Sequence, residues 1–171
     1  STVEDVTERK NTEEALQAIT RSMAGVTGID SFKTLTRNVS SHLGADCVMI
    51  GEIQPDRERV KTVAMLLDGN DIDNFFYSLK GTPCENLAEK GFCIYPDNAA
   101  IRFPESKDLS DLKSQGYAGT PLRDSTGTVI GILCVLSRCP LLPSHAMQEF
   151  LDIIAVKASA ELERIRIERA L

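Results

Sequence analysis

The chain has 171 residues, 42% of them hydrophobic, and a formal net charge of −6 at pH 7. This length and composition predict one globular domain with a single core. The acidic balance argues against a nucleic-acid-binding face, no apolar run reaches the roughly 20 residues needed to span a bilayer, and the polar N-terminus does not resemble a signal peptide.

The N-terminal quarter is predicted to be helical. A polar segment, residues 1–12, precedes a first helix whose apolar side chains recur every three or four positions. A second helix is expected to start at Asp30 or Ser31, since either side chain suits an N-cap. Gly44 is expected to end that helix.

The hydrophobic period then changes to that of strands. Residues 46–53 and 60–67 are predicted to form an antiparallel hairpin. Residues 70–109 are the least regular part, with a helical turn near residues 84–88 and a short strand at residues 92–95. A long irregular segment in a compact domain usually has a function, so we expect this insert to cover a pocket.

A second hairpin is predicted at residues 116–136. Its turn is Asp124–Gly127, with the residue preferences of a type I turn, and Pro121 marks an edge or a bulge in the outgoing arm. The return strand is apolar on both alternating faces, which is typical of a central, covered strand. The alternation places Val129, Leu133 and Val135 on one face and Ile130, Ile132 and Leu136 on the other.

A long C-terminal helix is expected to begin after Ser144 and to run to Leu171. Its apolar stripe, spaced as in a coiled coil, comprises Met147, Leu151, Ile154, Ala158, Leu162 and Ile165. The element order predicts an α+β fold. We expect a central antiparallel sheet of about five or six strands, with the N- and C-terminal helices on one face and the insert forming a pocket on the other.

Several motifs in this order resemble a GAF domain over residues 29–160. They are LGAD at residues 43–46, GTPCE at 81–85, FP at 103–104, and YAGTPLRD at 117–124 followed by GIL at 131–133. The resemblance implies a regulatory module that binds a small molecule or dimerises. The odd number and irregular spacing of the cysteines separately predict a reducing, cytoplasmic environment. It implies no enzymatic activity of the domain itself.

The two ends carry separate resemblances. DVTERK at residues 5–10, followed by EEAL at 13–16, is similar to the exit of a PAS domain and the linker helix after it, which assigns residues 1–28 to that linker. Residues 161–171 resemble the start of a signalling helix. These likenesses imply a multi-domain sensor with a PAS domain before this segment and an output module, such as a histidine kinase or a diguanylate cyclase, after it.

The known chemistries of the family find little support in the residues. Neither of the two histidines directly follows a cysteine, so we expect no covalently attached bilin. The sequence signature of the cyclic-nucleotide-binding members is also missing. The histidines are isolated and no Cys-x-x-Cys occurs, so no metal is expected. The odd, irregularly spaced cysteines predict reduced thiols, although Cys84 and Cys93 keep open a thiol-based redox sensor or a methionine sulfoxide reductase-like enzyme.

A ligand pocket of unknown occupant is the expected site. Its candidate lining is Phe76, Tyr77, Cys84, Phe92, Tyr95, Arg102, Phe103, Tyr117 and Gly119. If Arg102 points inward, the ligand carries a carboxylate or a phosphate, because a buried charge needs a partner. The alternative is that Arg102 reaches solvent or pairs with Glu105 or Asp108.

The terminal helices predict a parallel homodimer, because their apolar stripes continue past the expected edge of the sheet. The stripe of the first helix comprises Leu16, Ile19 and Met23. The alternative is that both stripes only cover the sheet. A module that dimerises over a collapsed pocket, without any ligand, also remains open.

Overall fold

The computed structural model describes residues 2–171. Thirteen elements follow one another along these residues: α1 (Thr2–Ser22), α2 (Ile29–Leu43), β1 (Cys47–Ile53), β2 (Arg59–Leu67), β3 (Asn70–Asp71), β4 (Phe76–Ser78), α3 (Cys84–Lys90), β5 (Cys93–Tyr95), α4 (Ala99–Arg102), α5 (Lys107–Leu112), β6 (Gly116–Arg123), β7 (Val129–Ser137) and α6 (His145–Ala170).

The strands form one antiparallel sheet in the order β3-β2-β1-β7-β6-β5, with β4 also paired to β2. The predicted α+β architecture is therefore confirmed, and the five strands expected from the hydrophobic period are all present. The structure adds β3 and β4, which have only two and three residues. Runs this short carry no readable alternation, so the sequence does not predict them.

Each face of the sheet has its own hydrophobic core. On one face lie α2 and α6, with α1 packed over both, and this helix-side core includes Ile19, Phe32 and Phe150, each no more than 1% exposed. The insert between β4 and β6 covers the other face and creates an insert-side core around Leu87 and Leu109. Both central strands, β1 and β7, are buried along their whole length.

A β-bulge in the second hairpin corrects the predicted faces of β7. The register shifts between Leu122 and Arg123, so Arg123 pairs with Val129 while Leu122 pairs with Gly131. Ile130 therefore lies in the helix-side core with Leu133, and Val129 lies in the insert-side core. A bulge inserts one unpaired residue and reverses the alternation beyond it, which a strict period of two does not anticipate.

Two predicted helix starts are also corrected. The helical conformation of α1 begins at Thr2, within the segment expected to be a polar lead. Gly28, with φ of 69°, precedes α2 in place of a side-chain cap. Its amide donates a hydrogen bond to the Glu161 carboxylate at 2.6 Å, while the Ser31 hydroxyl donates to the Gly28 carbonyl at 2.6 Å.

The predicted N-cap of α6 by Ser144 is confirmed, since its Oγ accepts a hydrogen bond from the Met147 amide at 3.0 Å.

The apolar stripe of α6 packs on the sheet for most of its length. Leu151, Ile154, Ala158 and Leu162 are all buried in the helix-side core, Leu162 to 1% exposure. The expectation that this stripe continues past the edge of the sheet is wrong as far as Ile165, which packs partly buried against the same core, because β7 and β6 lie under this part of the helix. No helix within residues 2–171 is both long enough and apolar enough to cross a membrane.

Candidate functional site

A small cavity lies between the sheet and the insert, at the place where the sequence predicts a pocket. Its volume is about 30 Å³, room for no more than one or two water-sized molecules. The floor is formed by side chains of β1, β2, β6 and β7, and the cover by β4, the segment leading into α3, and α5. In this conformation the protein's own side chains fill most of the predicted pocket.

The turn before α3 places the Cys84 thiol over the cavity. Gly81 adopts φ of +78°, and a Cβ there would lie 2.4 Å from the Glu105 carboxylate, so the position requires glycine. The Thr82 hydroxyl donates to the Leu79 carbonyl at 2.7 Å. The following proline has φ of −59°, which suits a residue that leads into a helix, and Cys84 is the first residue of α3.

Four polar side chains meet around the cavity in an otherwise apolar core. We call them the thiol–phenol cluster: Cys84, Cys134, Tyr77 and Tyr117. The Tyr117 hydroxyl lies 3.3 Å from Cys84 Sγ, and the Tyr77 hydroxyl donates to the same sulfur at 3.5 Å. Cys84 and Cys134 both line the cavity, and Cys134 contributes to the electrostatic surroundings of Cys84. Cys84, Cys134 and Tyr117 are 4%, 2% and 1% exposed, so these three side chains are almost completely shielded from water, whereas Tyr77 is half-buried.

The network stabilises negative charge on Cys84. The interaction with Cys134, followed by the hydrogen bonds with Tyr117 and Tyr77, outweighs burial and lowers the pKa of the Cys84 thiol to about 7. The partners shift the opposite way. Its interaction with Cys84, followed by its own burial, raises the pKa of Cys134. For Tyr77 and Tyr117 the largest cause is burial, which raises the pKa of each phenol. One proton is therefore lost from the cluster before the others.

The rest of the cavity wall adds no positive charge to balance a thiolate. Asp108 lines the cavity, and its burial, with the neighbouring Asp111, raises the pKa of its carboxyl. Cys47 lies on the floor, where burial raises the pKa of its thiol to about 12. Arg102 is exposed on the outside of the insert, 5.9 Å above the Tyr95 ring. The condition for an anionic ligand, an inward Arg102, is not met.

Apart from Arg102, the eight other predicted pocket residues fall into three groups. Tyr77, Cys84 and Tyr117 line the cavity. Tyr95 and Phe103 form a half-buried aromatic layer next to it, with ring centroids 5.0 Å apart and Tyr95 6.1 Å from Tyr117.

Gly119 also belongs near the cavity, because a Cβ there would lie 2.7 Å from the Tyr117 hydroxyl. Phe76 and Phe92 lie elsewhere. Phe76 is 52% exposed and lies under the Arg59 and Lys61 side chains on the outer strand, and Phe92 packs against the helix-side core.

The second cysteine at the cavity beside Cys84 is Cys134, which the sequence does not indicate. Cys93, proposed as the partner because it shares the insert, is half-buried, donates a weak hydrogen bond to the Gly91 carbonyl at 3.5 Å and is not part of the cavity lining. Cys134 belongs to β7, where its alternation with Ile132 and Leu136 marks an inward face. The alternation indicates burial, but the packing of α3 on β7 is needed to show that Cys84 and Cys134 line the same cavity.

Metal ligation finds no geometric support among the side chains that the structure describes. Within that part of the chain, no three histidine, cysteine, aspartate or glutamate side chains are close enough to hold a metal ion. The thiol–phenol cluster has two sulfurs and two phenol oxygens, which is not the donor set of a tetrahedral zinc site. The chemistry available to the cluster is hydrogen bonding and thiol reactivity.

Comparisons with known proteins agree with this architecture. The GAF domain family model matches residues 11–162, so the chain belongs to the GAF domain family. No curated protein sequence matches it significantly.

Several solved structures share the fold. The GAF domain of a phosphoenolpyruvate-protein phosphotransferase from Coxiella burnetii is 17% identical with a TM-score of 0.80, covering 95% of this chain and 99% of that one. A methyl-accepting chemotaxis protein, residues 122 to 287, is 18% identical with a TM-score of 0.68, covering 90% and 99%. The chromophore-binding domain of Stigmatella aurantiaca phytochrome P1 is 10% identical with a TM-score of 0.69, covering 87% of this chain and 59% of that one.

Proposed function

We propose that this GAF domain is a non-catalytic sensor module of a larger signalling protein. Its input site is the cavity beneath the insert, and its output is the packing of α1 and α6. The observation that carries the proposal is the thiol–phenol cluster, because a core that serves only stability has little use for two phenols and two thiols at one point. Buried polar groups of this kind are costly unless they are paired.

The cover of the cavity is built to change shape more readily than its floor. The floor belongs to strands of seven to nine residues, of which β1 and β7 are buried throughout, whereas the cover is made of helices of four to seven residues and the loops between them. Short elements with few long-range hydrogen bonds open at a lower free-energy cost than central strands. A ligand larger than the present 30 Å³ would enter by displacing the insert, and its binding would select that displaced conformation.

The chemistry of the lining defines the ligand class. Because Arg102 lies outside and Asp108 inside, a neutral or cationic molecule with hydrogen-bonding groups fits better than a carboxylate or phosphate. The hydroxyls of Tyr77 and Tyr117 would supply the polar contacts, and Met49 and Met65 on the floor would supply an adaptable apolar surface.

Retention of a ligand tests this proposal directly. Native mass spectrometry of freshly purified protein, followed by thermal-shift screening of neutral and cationic metabolites, is expected to reveal a bound compound. Replacing Tyr77 or Tyr117 by Phe should then weaken its binding roughly 10-fold or more, since a lost buried hydrogen bond costs about 1–3 kcal/mol. Tyr95→Phe is the matched control, because the Tyr95 hydroxyl accepts from Asn86 Nδ2 at 2.9 Å, away from the cavity lining.

A second candidate function, dimerisation without a ligand, is favoured by another observation. The outer face of α6 exposes a second apolar stripe: Ile153 (41% exposed), Val156 (70%) and Ile167 (57%). The spacing from Ile153 to Val156 to Ala160 to Ile167 is three, four and seven residues, which follows a coiled-coil heptad. The proposed parallel homodimer thus uses the outer stripe, since the stripe named from the sequence is occupied by the sheet.

Light scattering distinguishes the two functions. Replacing both Ile153 and Val156 by Glu should convert a dimer to a monomer. Asp152→Glu, a charge-preserving control at an exposed position of the same helix, should leave the mass unchanged. A dimer that survives the double substitution would contradict an interface at this stripe. Absence of any retained or stabilising compound, together with a dimer, would favour dimerisation as the sole function.

The wider context is part of the same proposal. The N-terminal motif supports an upstream PAS domain, with residues 1–28 as the exit motif and linker helix that follow it. The C-terminal helix supports a following output module, with residues 161–171 as the start of the signalling helix that leads to it. A cytoplasmic histidine kinase or diguanylate cyclase would suit this arrangement, with any enzymatic activity belonging to that module. Sequencing the gene beyond both ends of the segment tests this part independently of ligand binding.

A further inference from the structure

The thiol–phenol cluster combines the three requirements of a redox-active cysteine pair. One thiol must be readily deprotonated, a second must lie within reach, and a small oxidant must have access. Cys84 Sγ accepts a hydrogen bond from the Tyr77 hydroxyl and lies 3.3 Å from the Tyr117 hydroxyl, and Cys84 and Cys134 line the same cavity of about 30 Å³. This volume is sufficient for a molecule the size of hydrogen peroxide.

We infer that Cys84 and Cys134 form a reversible intramolecular disulfide when the protein meets hydrogen peroxide, with Cys84 as the attacking thiol and Cys134 as the resolving thiol. The inference rests on the proposed sensor function only for its signalling consequence. The chemistry itself requires neither a ligand nor a partner protein.

The reaction has two balanced steps. The Cys84 thiolate attacks one oxygen of hydrogen peroxide, an S–O bond forms, the O–O bond breaks, and the leaving hydroxide takes up the proton that the thiol had released. The Cys134 sulfur then attacks the sulfur of the Cys84 sulfenic acid. An S–S bond forms, the S–O bond breaks, and the second hydroxide leaves as water with the Cys134 proton. The two thiols lose two electrons, and peroxide is reduced to two waters.

The roles of the two cysteines follow from their surroundings. Cys84 belongs to the insert, at the start of a short helix, whereas Cys134 is held in the central strand β7. The interaction with Cys84 and the negative charge there help raise the pKa of Cys134. Oxidation of Cys84 to a neutral sulfenic acid removes that charge, so Cys134 becomes easier to deprotonate at the moment it must attack.

The other three cysteines do not share this environment. Cys47 lies on the cavity floor, but burial raises the pKa of its thiol to about 12, which leaves it protonated. Cys93 is half-buried, and its pKa is also raised by burial. Cys139 is exposed and outside the cavity lining. Oxidation should therefore consume two of the five thiols and leave three free thiols.

Peptide mapping of the peroxide-treated chain tests the inference without any variant. Cleavage after Lys and Arg places Cys84 in residues 81–90, Cys93 in residues 91–102 and Cys134 in residues 124–138. We expect a linked peptide of residues 81–90 and 124–138, lighter by two hydrogens than its parts and separated by dithiothreitol. A link from residues 81–90 to 91–102, or a full complement of five alkylated cysteines, overturns the inference.

Variants and intrinsic fluorescence give an independent readout. The chain contains no tryptophan and three tyrosines, and all three lie in or next to the cluster. Oxidation of Cys84 removes its thiol as a partner of Tyr77 and Tyr117, so tyrosine emission should change when peroxide is added. Cys134→Ala should yield no linked peptide and leave Cys84 as a sulfenic acid that dimedone labels, whereas Cys93→Ala, the matched control, should behave as the natural chain. Equal responses of the two variants contradict the assignment, while ligand retention is measured separately and does not depend on this result.

Discussion

Stability should rise with pH between 7 and 9 because of Cys84. Its ordinary pKa of 9.0 is lowered to about 7 in the folded protein, so the folded state loses this proton more readily than the unfolded chain. A pKa that is depressed on folding contributes stability that is complete above the unfolded value and lost as pH falls through the folded value. Two pKa units at about 1.4 kcal/mol each give an upper figure of roughly 3 kcal/mol.

Above pH 9 the trend should reverse. The pKa values of Cys134, Tyr77 and Tyr117 are raised on folding, so their contributions are present below their unfolded values and lost above them. Cys47, whose pKa is raised from 9.0 to about 12, adds to this loss above pH 9, whereas the raised pKa of Asp108 starts from 3.8 and acts at acidic pH. The free energy of unfolding should therefore pass through a maximum near pH 9.

Urea unfolding of the reduced protein at pH 6, 7, 8 and 9 measures this effect. The natural chain should gain stability relative to Cys84→Ser by up to roughly 3 kcal/mol across the series, because serine does not ionise in this range. Cys93→Ser is the matched control, and its profile should stay parallel to that of the natural chain. Parallel profiles for Cys84→Ser and the natural chain would refute the argument that the cluster stabilises a thiolate.

Three further substitutions test the packing that holds the site. Leu162→Ala, at a side chain 1% exposed in the helix-side core, should cost about 2–5 kcal/mol in chemical unfolding, whereas Leu142→Ala, 84% exposed, should cost under about 0.5 kcal/mol; equal costs would contradict the placement of α6. Gly119→Ala puts a Cβ 2.7 Å from the Tyr117 hydroxyl. It should cost about 1–3 kcal/mol and slow alkylation of Cys84 at pH 7, and an unchanged alkylation rate would argue against Tyr117 as a partner of the thiol. Ser144→Ala should cost about 1 kcal/mol, as expected for a lost N-cap, and unchanged unfolding would exclude the capping role.

Local sequence signals predict much of the fold. The second hairpin follows from Asp124 and Gly127, whose amide donates to the Asp124 carbonyl at 3.0 Å, and the α6 start follows from Ser144. The bulge at Ile130 and the small strands β3 and β4 depend on how neighbouring strands align. The sequence of a single strand does not carry that information. The fold class is therefore accessible from periodicity, and strand faces near a bulge are not.

The site is less predictable than the fold. Tyr77, Cys84 and Tyr117 are identified because they are polar or aromatic residues in the insert or its facing strand. Cys134 is missed because a cysteine inside an apolar strand has the pattern of a small hydrophobic residue, and only the tertiary contact with α3 gives it a partner. The direction of Arg102 stays open in the sequence for a similar reason, since a four-residue helix gives no face to predict.

Strand β7 has one further consequence, for how such a module diverges. Cys134 occupies one face, and on the other a Cβ at Gly131 would lie 2.9 Å from Leu162 of α6. A substitution in this strand therefore alters the chemistry of the cavity and the seating of the long helix together, and it has no neutral side on which changes accumulate. New specificities are expected to arise by exchange of the insert, and chimeric modules should be joined outside residues 129–137, so that the strand and its helix are inherited as one unit.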